Sequence, residues 1–309
     1  MKVSLVTTVL NEEKTIKSFF ESVLDQTGKP DEVVIIDGGS EDTTLKKVRK
    51  FKSSNDQNNF QIKIWQVRGA NRSVGRNEGI KRATGEIIAV SDAGCVLDKN
   101  WLENLIKPFS DPAVAIVAGF YQPLAKTIFE KCIACYTCAR EDQINPENFL
   151  PSSRSVAFRR AAWEKVGGYP EELNYCEDLV FDQRLKDAGL KFAFARDALV
   201  FWPQRKDIWQ ALTQFFHYAS GDAEALYWPH LRKIGLVYLR YLIGLICLIW
   251  LPLGFLVIGL LGYFAFAVWK NYRYVRHPLA LFWLPVLQLA ADLGVLAGTA
   301  IGFWKRWKK

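Results

Sequence analysis

The stretch "EIIAVSDAGCVL", residues 86–97, ends an apolar run in Asp92, as a buried strand does when it delivers a carboxylate to an active-site edge. Two residues on, where a cation-binding enzyme often places a second acid, stands Gly94. Other chemically able residues gather in the same manner. Asn11-Glu12-Glu13 follow "KVSLVTTVL", and "DGGSEDTT", Asp37 to Thr44, follows "EVVIID". The glycines let a ligand approach the backbone, and Ser40 or Asp42 is suited to capping the next helix. Glu177-Asp178 opens the helical stretch "CEDLVFDQRLKDAGLKFAF", where a helix dipole also favours carboxylates. A single Asp or Gly in such a turn is ordinary, but three polar clusters at strand ends indicate a nucleotide-sized site.

The elements that must position these residues alternate. "KVSLVTTVL" reads as a strand, Thr15–Gln26 as a helix with Ile16, Phe19, Phe20 and Val23 on one side, and "EVVIID" as a strand covered on both faces. A helix over 43–51, a polar loop at "KSSNDQNN", the strand "IKIWQV", a helix over 73–83, the strand "EIIAV" and the strand candidate "AVAIVAGFY" follow. "SVAFRRAAWEKVGGYPEE" suggests a short strand, a helix and a Gly-Gly turn. Alternating βα units predict an α/β domain with a mostly parallel sheet and helices on both faces, its ligands at the carboxyl ends of the strands.

From Ile234 the composition changes. Residues 234–269 carry Arg240 as their only charge, and a second apolar run, 279–304, carries only Asp292. A bilayer core needs about 20 apolar helical residues. The expected division is therefore a polar domain, 1–230, ending in an aromatic interfacial helix at about 205–228, and a membrane region, 231–309. The 36-residue run is too long for one span, and "WLPLG" supplies a break, so a hairpin of about 234–251 and 253–269 is expected. The segment 279–304 either spans or re-enters. Pro285, Gln288 and Asp292 weaken crossing, Gly294, Gly298 and Gly302 suit close helix packing, and the balance tips toward a re-entrant or interfacial segment.

The formal charge is +8, and residues 270–309 hold seven basic residues against Asp292. That excess flanks the apolar runs, fitting anionic headgroups and the positive-inside rule and arguing against a nucleic-acid binder. Met1-Lys2 lead straight into a strand, so the first domain is expected in the cytoplasm. Three of the six cysteines, Cys132, Cys135 and Cys138, lie three apart. Without a fourth ligand they make a poor zinc site and read as packing residues in a reducing compartment.

The ordered set "TTVLNEE", "DGGSEDTT", "GANRSVGRNEGIKRATGEIIAVSDAG", "RRAAWEKVGGYPEE" and "CEDLVFDQRLKDAGLKF" resembles family 2 glycosyltransferases of the GT-A, Rossmann-like fold over roughly residues 1–230. The tail resembles that of membrane-attached members acting on lipid-linked or polymeric acceptors at the cytoplasmic face. The resemblance implies inverting transfer from a nucleoside diphosphate sugar, a UDP- or GDP-sugar, usually with Mg²⁺ or Mn²⁺. It places Thr8, Asn11, Glu12 and Asp37 on the nucleoside side, and Arg72, Arg76 and Asn77 near ribose and diphosphate. It makes Asp92 the first acid of the D-x-D pattern and a metal ligand, Glu177-Asp178 the catalytic pair with Asp178 the base, and Arg184 a diphosphate-facing side chain. "FFHYASGD" resembles a segment of related membrane-attached transferases, which puts His217 and Tyr218 on the acceptor side.

Gly94 departs from the pattern, and three readings stay open. Asp92, diphosphate oxygens and water hold the cation; or arginines neutralise the leaving group without metal; or Asp98 or His217 replaces the missing acid. The first is the expectation carried forward, since Mg²⁺ keeps several waters. A nucleotidyltransferase and a catalytically silent membrane scaffold stand as alternatives. "TTVLNEEKT" lacks a phosphate-cradling glycine loop, and retention of Asp37, Asp92, Glu177 and Asp178 together argues against decay.

Overall fold

The computed structural model describes residues 1–54 and 60–309; residues 55–59, most of the expected polar loop "KSSNDQNN", lie outside the described residues. The chain forms two compact units, each discontinuous in sequence. The first comprises Met1–Gln122 with Glu141–Pro203, the second Pro123–Arg140 with Gln204–Lys309.

In the first unit, strands β1 (Val3–Val9), β2 (Glu32–Asp37), β3 (Gln61–Gln66) and β4 (Ile87–Val90) are parallel and lie in the order β3-β2-β1-β4. β2 and β4 are buried at every position, which is why they read as unbroken apolar runs rather than alternating ones. The rest of the sheet departs from the parallel expectation. β7 (Val156–Arg159) runs antiparallel to β4, and β6 (Val114–Leu124) antiparallel to β7. β8 (Lys191–Pro203) pairs antiparallel with the short β5 (Val96–Leu97) at the far edge. The sheet is therefore mixed. Because Val156 pairs with Val90, it is the beginning of β7 that meets the carboxyl end of β4.

Helices α1 (Ile16–Leu24), α2 (Thr44–Ser54), α3 (Arg72–Arg82), α4 (Trp101–Ile106), α6 (Arg160–Lys165) and α7 (Glu177–Asp187) belong to this unit. α3 matters most for the site. Its Gly75 and Gly79, one turn apart, face β1 so closely that a Cβ at 75 would stand 2.7 Å from Thr8 Cγ2, and one at 79 would overlap Val6. The missing side chains let α3 lie directly on the sheet, with Arg72 and Arg76 at the strand ends. Val6, Val34, Ile36, Ile88, Val90, Phe158, Tyr169 and Phe181 make one core beneath it.

The second unit is helical: α5 (Ile128–Thr137), α8 (Ile208–Ala225), α9 (Trp228–Trp250), α10 (Leu253–Val275) and α11 (Ala280–Trp307). The last three are long and apolar enough to cross a membrane. The expected break falls at Leu251–Pro252, between α9 and α10. α11 is continuous through Pro285. Its Gly294, Gly298 and Gly302 form the packing stripe the spacing suggests, and the partner is α8. A Cβ at 294 would stand 2.7 Å from Phe215 Cβ, and those at 298 and 302 would overlap the backbone of Phe216 and Ser220. α5 joins the same cluster through Phe129, Cys132 and Ile133 against Leu284 and Leu287.

Candidate active site

The centre of the first unit is one guanidinium. Arg76 is only 2% exposed, and donates from one terminal nitrogen to Asp92 at 2.9 Å and from the other to Glu177 at 2.7 Å. It thus fastens the end of β4 to the first turn of α7. The Tyr169 ring, 5.4 Å away, backs the guanidinium. Burying a charge is tolerable only with partners of this kind, and the two carboxylates supply them.

The carboxyls respond differently. Burial works to raise the Asp92 pKa, but Arg76, Arg154 and Arg72 acting together hold it below the usual range. Glu177 goes the other way. Burial lifts it, Arg76 opposes, and neighbouring Asp178 adds to the lift. Asp92 keeps a third of its side chain exposed, against 6% for Glu177. Of the two carboxylates beside Arg76, Asp92 therefore faces the open edge.

Asp178 is half-buried at the start of α7, its carboxylate accepting from the Leu179 amide at 2.9 Å. The chain enters that helix through Cys176 in the left-handed region, φ 65°. Such a conformation costs on the order of 1 kcal/mol or more for a non-glycine residue, and here it sets the direction in which Glu177 and Asp178 leave the turn.

Around this centre the expected donor residues divide. Asp37 is wholly buried at the end of β2, its carboxylate accepting from the amides of Gly39 and Ser40 and from the Gln66 side chain at 2.9 Å. It shapes the "DGGS" turn, in which Gly39 takes φ 104°. Asn11, at φ 56°, accepts from the Glu41 amide at 2.9 Å and so laces the β1 turn to the β2 turn. Glu12 accepts from the Thr15 hydroxyl, and its carboxylate oxygens lie 3.9 Å from where a Cβ at position 94 would stand. Thr8 sits in β1 beside Ile36. Arg72 is exposed and stacks over Tyr175 at 5.4 Å.

Asn77 is turned inward. It bonds the Tyr169 carbonyl and amide, the Glu171 carboxylate and the Trp163 indole, all at 2.9–3.0 Å. Its amide pins the Gly-Gly turn to α3. Arg184 reaches the Gly168 carbonyl and Glu172, at 3.5 and 3.9 Å, on that same turn. His217 and Tyr218 are on α8 in the second unit; the imidazole meets Phe216 edge-on at 5.6 Å, and the Tyr218 hydroxyl accepts from Gln214 at 2.9 Å.

One residue of this centre escaped sequence reasoning. Arg154, just before β7, lies 3.9 Å over the Trp202 ring and 5.2 Å from Tyr121, donates to Ser152 at 2.8 Å, and is second only to Arg76 among the cations that lower the Asp92 pKa. The signal that locates it is the strand direction: an antiparallel β7 brings residues just ahead of it to the ligand edge, whereas a parallel strand would carry them to the opposite end.

The donor set does not fit a protein-built cation centre. Among the described residues no group of three or more His, Cys, Asp or Glu is placed to hold a metal ion. Asp92 is bonded to Arg76, and Asp98 accepts from the Asn100 amide at the start of α4.

Residues 4–167 match the model for glycosyl transferase family 2, and residues 87–292 that for glycosyl transferase family group 2. Glycosyltransferase AglE of Haloferax volcanii is 27% identical over 78% of this chain and 80% of its own. The solved mannosyltransferase PcManGT from Pyrobaculum calidifontis, in complex with GDP-Man and Mn²⁺, superposes with a TM-score of 0.69 at 18% identity. The match covers 94% of this chain and 86% of that one. S. aureus TarS 1-349 in complex with UDP-GlcNAc superposes with a TM-score of 0.53 at 20% identity, covering 72% and 66%.

Proposed function

Because the chain belongs to glycosyltransferase family 2 and is a glycosyltransferase with the GT-A fold, we propose that it moves a sugar, with inversion, from a UDP- or GDP-sugar to a hydroxyl of a lipid-linked or polysaccharide acceptor at the cytoplasmic face of the cell membrane. The observation that carries this reading is Arg76 joining Asp92 to Glu177. It puts a cation-rich edge and the Asp178 carboxylate at one end of one sheet, the two things a single displacement needs.

In that displacement the acceptor oxygen forms a bond to the anomeric carbon as the bond to the diphosphate oxygen breaks. Asp178 takes the hydroxyl proton, and the departing electron pair goes to the diphosphate, where positive charge must meet it. Asp37 and Asn11 hold the two turns on the nucleoside side, and Asn77 keeps α3 in place. The relatives support the donor class: PcManGT is solved with GDP-Man and TarS with UDP-GlcNAc. The three apolar helices support membrane attachment.

The test is transfer from a panel of UDP- and GDP-sugars into membrane lipid extract, comparing the native chain with Asp178→Asn. The substitution is expected to lower turnover by about 10²–10⁴-fold while calorimetric donor binding survives. Unchanged turnover would remove Asp178 from the mechanism, and no binding of any nucleotide sugar would remove the donor reading.

A further inference from the structure

Resting on that reading, we infer that the leaving diphosphate is neutralised by two arginines, Arg72 and Arg154, in place of a divalent cation, with Arg154 gripping the diphosphate directly and Arg76 holding Asp92 and Glu177 beside them.

Three observations carry this. The first is what surrounds Asp92. One Asp92 oxygen is already bonded by Arg76 at 2.9 Å, which leaves a cation only the other oxygen of this single carboxylate. Arg76 has no room to withdraw, since it is 2% exposed, bonded to Glu177 on its other nitrogen and backed by Tyr169. The second is Gly94. Its Cβ direction is open except for the Glu12 carboxylate at 3.9 Å, and no other carboxylate of the "SDAGCVLD" stretch takes its place, because Asp98 caps the turn into α4. The third is Arg154. Its guanidinium carbon lies 3.9 Å over the Trp202 ring, with Tyr121 at 5.2 Å and Ser152 holding one terminal nitrogen.

The charges agree with this assignment. Gly94 leaves this stretch one acid short, and Arg154 sets a cation beside Asp92. A stacked guanidinium is also the chemical type suited to the task. It is planar, weakly hydrated and always charged, and its fork of N–H groups matches two phosphate oxygens at once. Aromatic stacking on Trp202 restricts the fork before the ligand arrives, so little order has to be imposed on binding. The electron pair released from the anomeric carbon thus ends on a phosphate oxygen held by N–H donors that need no reorganisation.

The experiment uses the full chain in detergent or nanodiscs, with UDP, GDP, UMP and GMP as calorimetric probes, first in excess EDTA and then with Mn²⁺. The better-bound diphosphate is expected to keep its affinity in EDTA to within about threefold. Arg154→Ala should weaken that diphosphate by about 10- to 100-fold and leave the corresponding monophosphate unchanged, with Arg154→Lys recovering part of the loss. A purely structural role would weaken both nucleotides together. Gly94→Asp, which meets no steric obstacle, should create a Mn²⁺ response that the native chain lacks. The inference is overturned if EDTA abolishes diphosphate binding and Mn²⁺ restores it, or if Arg154→Ala weakens mono- and diphosphate equally. Binding of no nucleotide under either condition would instead overturn the donor reading on which the inference rests.

Discussion

Each unit of this protein holds a carboxylate–guanidinium centre, and the two are built to opposite ends. In the first unit Arg76 sits between Asp92 and Glu177, and two further guanidiniums, Arg72 and Arg154, act on Asp92 from outside the pair. In the second, Asp292 of α11 is ion-paired with Arg240 of α9 at 2.6 Å and accepts from the Tyr241 hydroxyl at 3.0 Å, the Tyr263 hydroxyl of α10 and the Gln288 amide at 3.1 Å. Each Asp292 oxygen has two partners, and the side chain is 3% exposed. On the carboxylate side that centre is complete. The Asp92 centre is not, because a third of its carboxylate faces outward and it has more cations about it than its own charge requires. Fully satisfied, a buried polar cluster fixes the packing of its elements; left with unused valence at an open edge, the same groups become a site. What separates a lock from a site is the capacity left over, not the residue types.

The largest effect expected of any single change follows from the first centre. Arg76→Ala leaves Asp92 and Glu177 without their common partner, one of them deeply buried. Removing one member of such a cluster costs about 3–5 kcal/mol, which should appear as a marked loss of Tm in the first unit together with loss of transfer. Arg76→Lys should recover part of the stability but not the two-sided grip, since an ammonium has no fork to span two carboxylates. A native-like Tm in Arg76→Ala would show that the centre is not structural, and would break the comparison at its base.

The second centre should behave as a lock does. Asp292→Leu leaves the Arg240 guanidinium uncompensated among apolar helices, at a cost of at most about 3 kcal/mol. Replacing Arg240 by Leu as well should bring stability back to within about 1 kcal/mol of the native chain, because an apolar pair of similar size often substitutes for a buried ion pair. Thermal unfolding of the two variants in nanodiscs, with transfer assayed in parallel, measures this. The double variant is expected to retain transfer, whereas no apolar replacement at Arg76 and Asp92 should. If the double variant folds but is inactive, Asp292 and Arg240 are more than a lock.

Much of this arrangement was legible in the sequence, for identifiable reasons. The unbroken runs "EVVIID" and "EIIAV" mark strands covered on both faces, the first ending in Asp37 and the second followed two residues on by Asp92. The spacing of Gly294, Gly298 and Gly302 announced a helix contact that α8 supplies. What could not be read is what depends on long-range pairing. The direction of β7 is decided by its partners β4 and β6, not by its own four residues, and with it went Arg154. Asn77 stands one residue after Arg76 and looked equally available, but 100° of helical rotation turns it away to the Gly-Gly turn. Asp292 likewise reads singly as an obstacle to a membrane segment, and Arg240 only as the one charge of its run, because their pairing joins positions 52 residues apart.

The smallest expected effect concerns position rather than energy. α11 begins beside α5, where Phe129 meets Trp283 at 5.0 Å and Tyr136 bonds the Leu284 carbonyl. It then follows α8 in the same direction, Gly294 at Phe215, Gly298 at Phe216 and Gly302 at Ser220. Its end is fastened to the end of α8, with Lys309 paired to Glu224 at 2.6 Å and Arg306 donating to the Glu224 carbonyl at 3.1 Å. Glu224 precedes Trp228, the first residue of α9, by four positions. The basic tail therefore lies beside the start of α9, which in the proposed α9–α10 membrane hairpin is the side to which the chain returns before α11 begins. We expect α11 to lie along the interface rather than to cross, keeping "KRWKK" among cytoplasmic anionic headgroups, as the positive-inside rule favours. An epitope appended after Lys309 should be cut by protease in inside-out vesicles and protected in sealed right-side-out ones. The reverse pattern would mean that α11 spans, and that its contacts with Glu224 give way when the chain enters a bilayer.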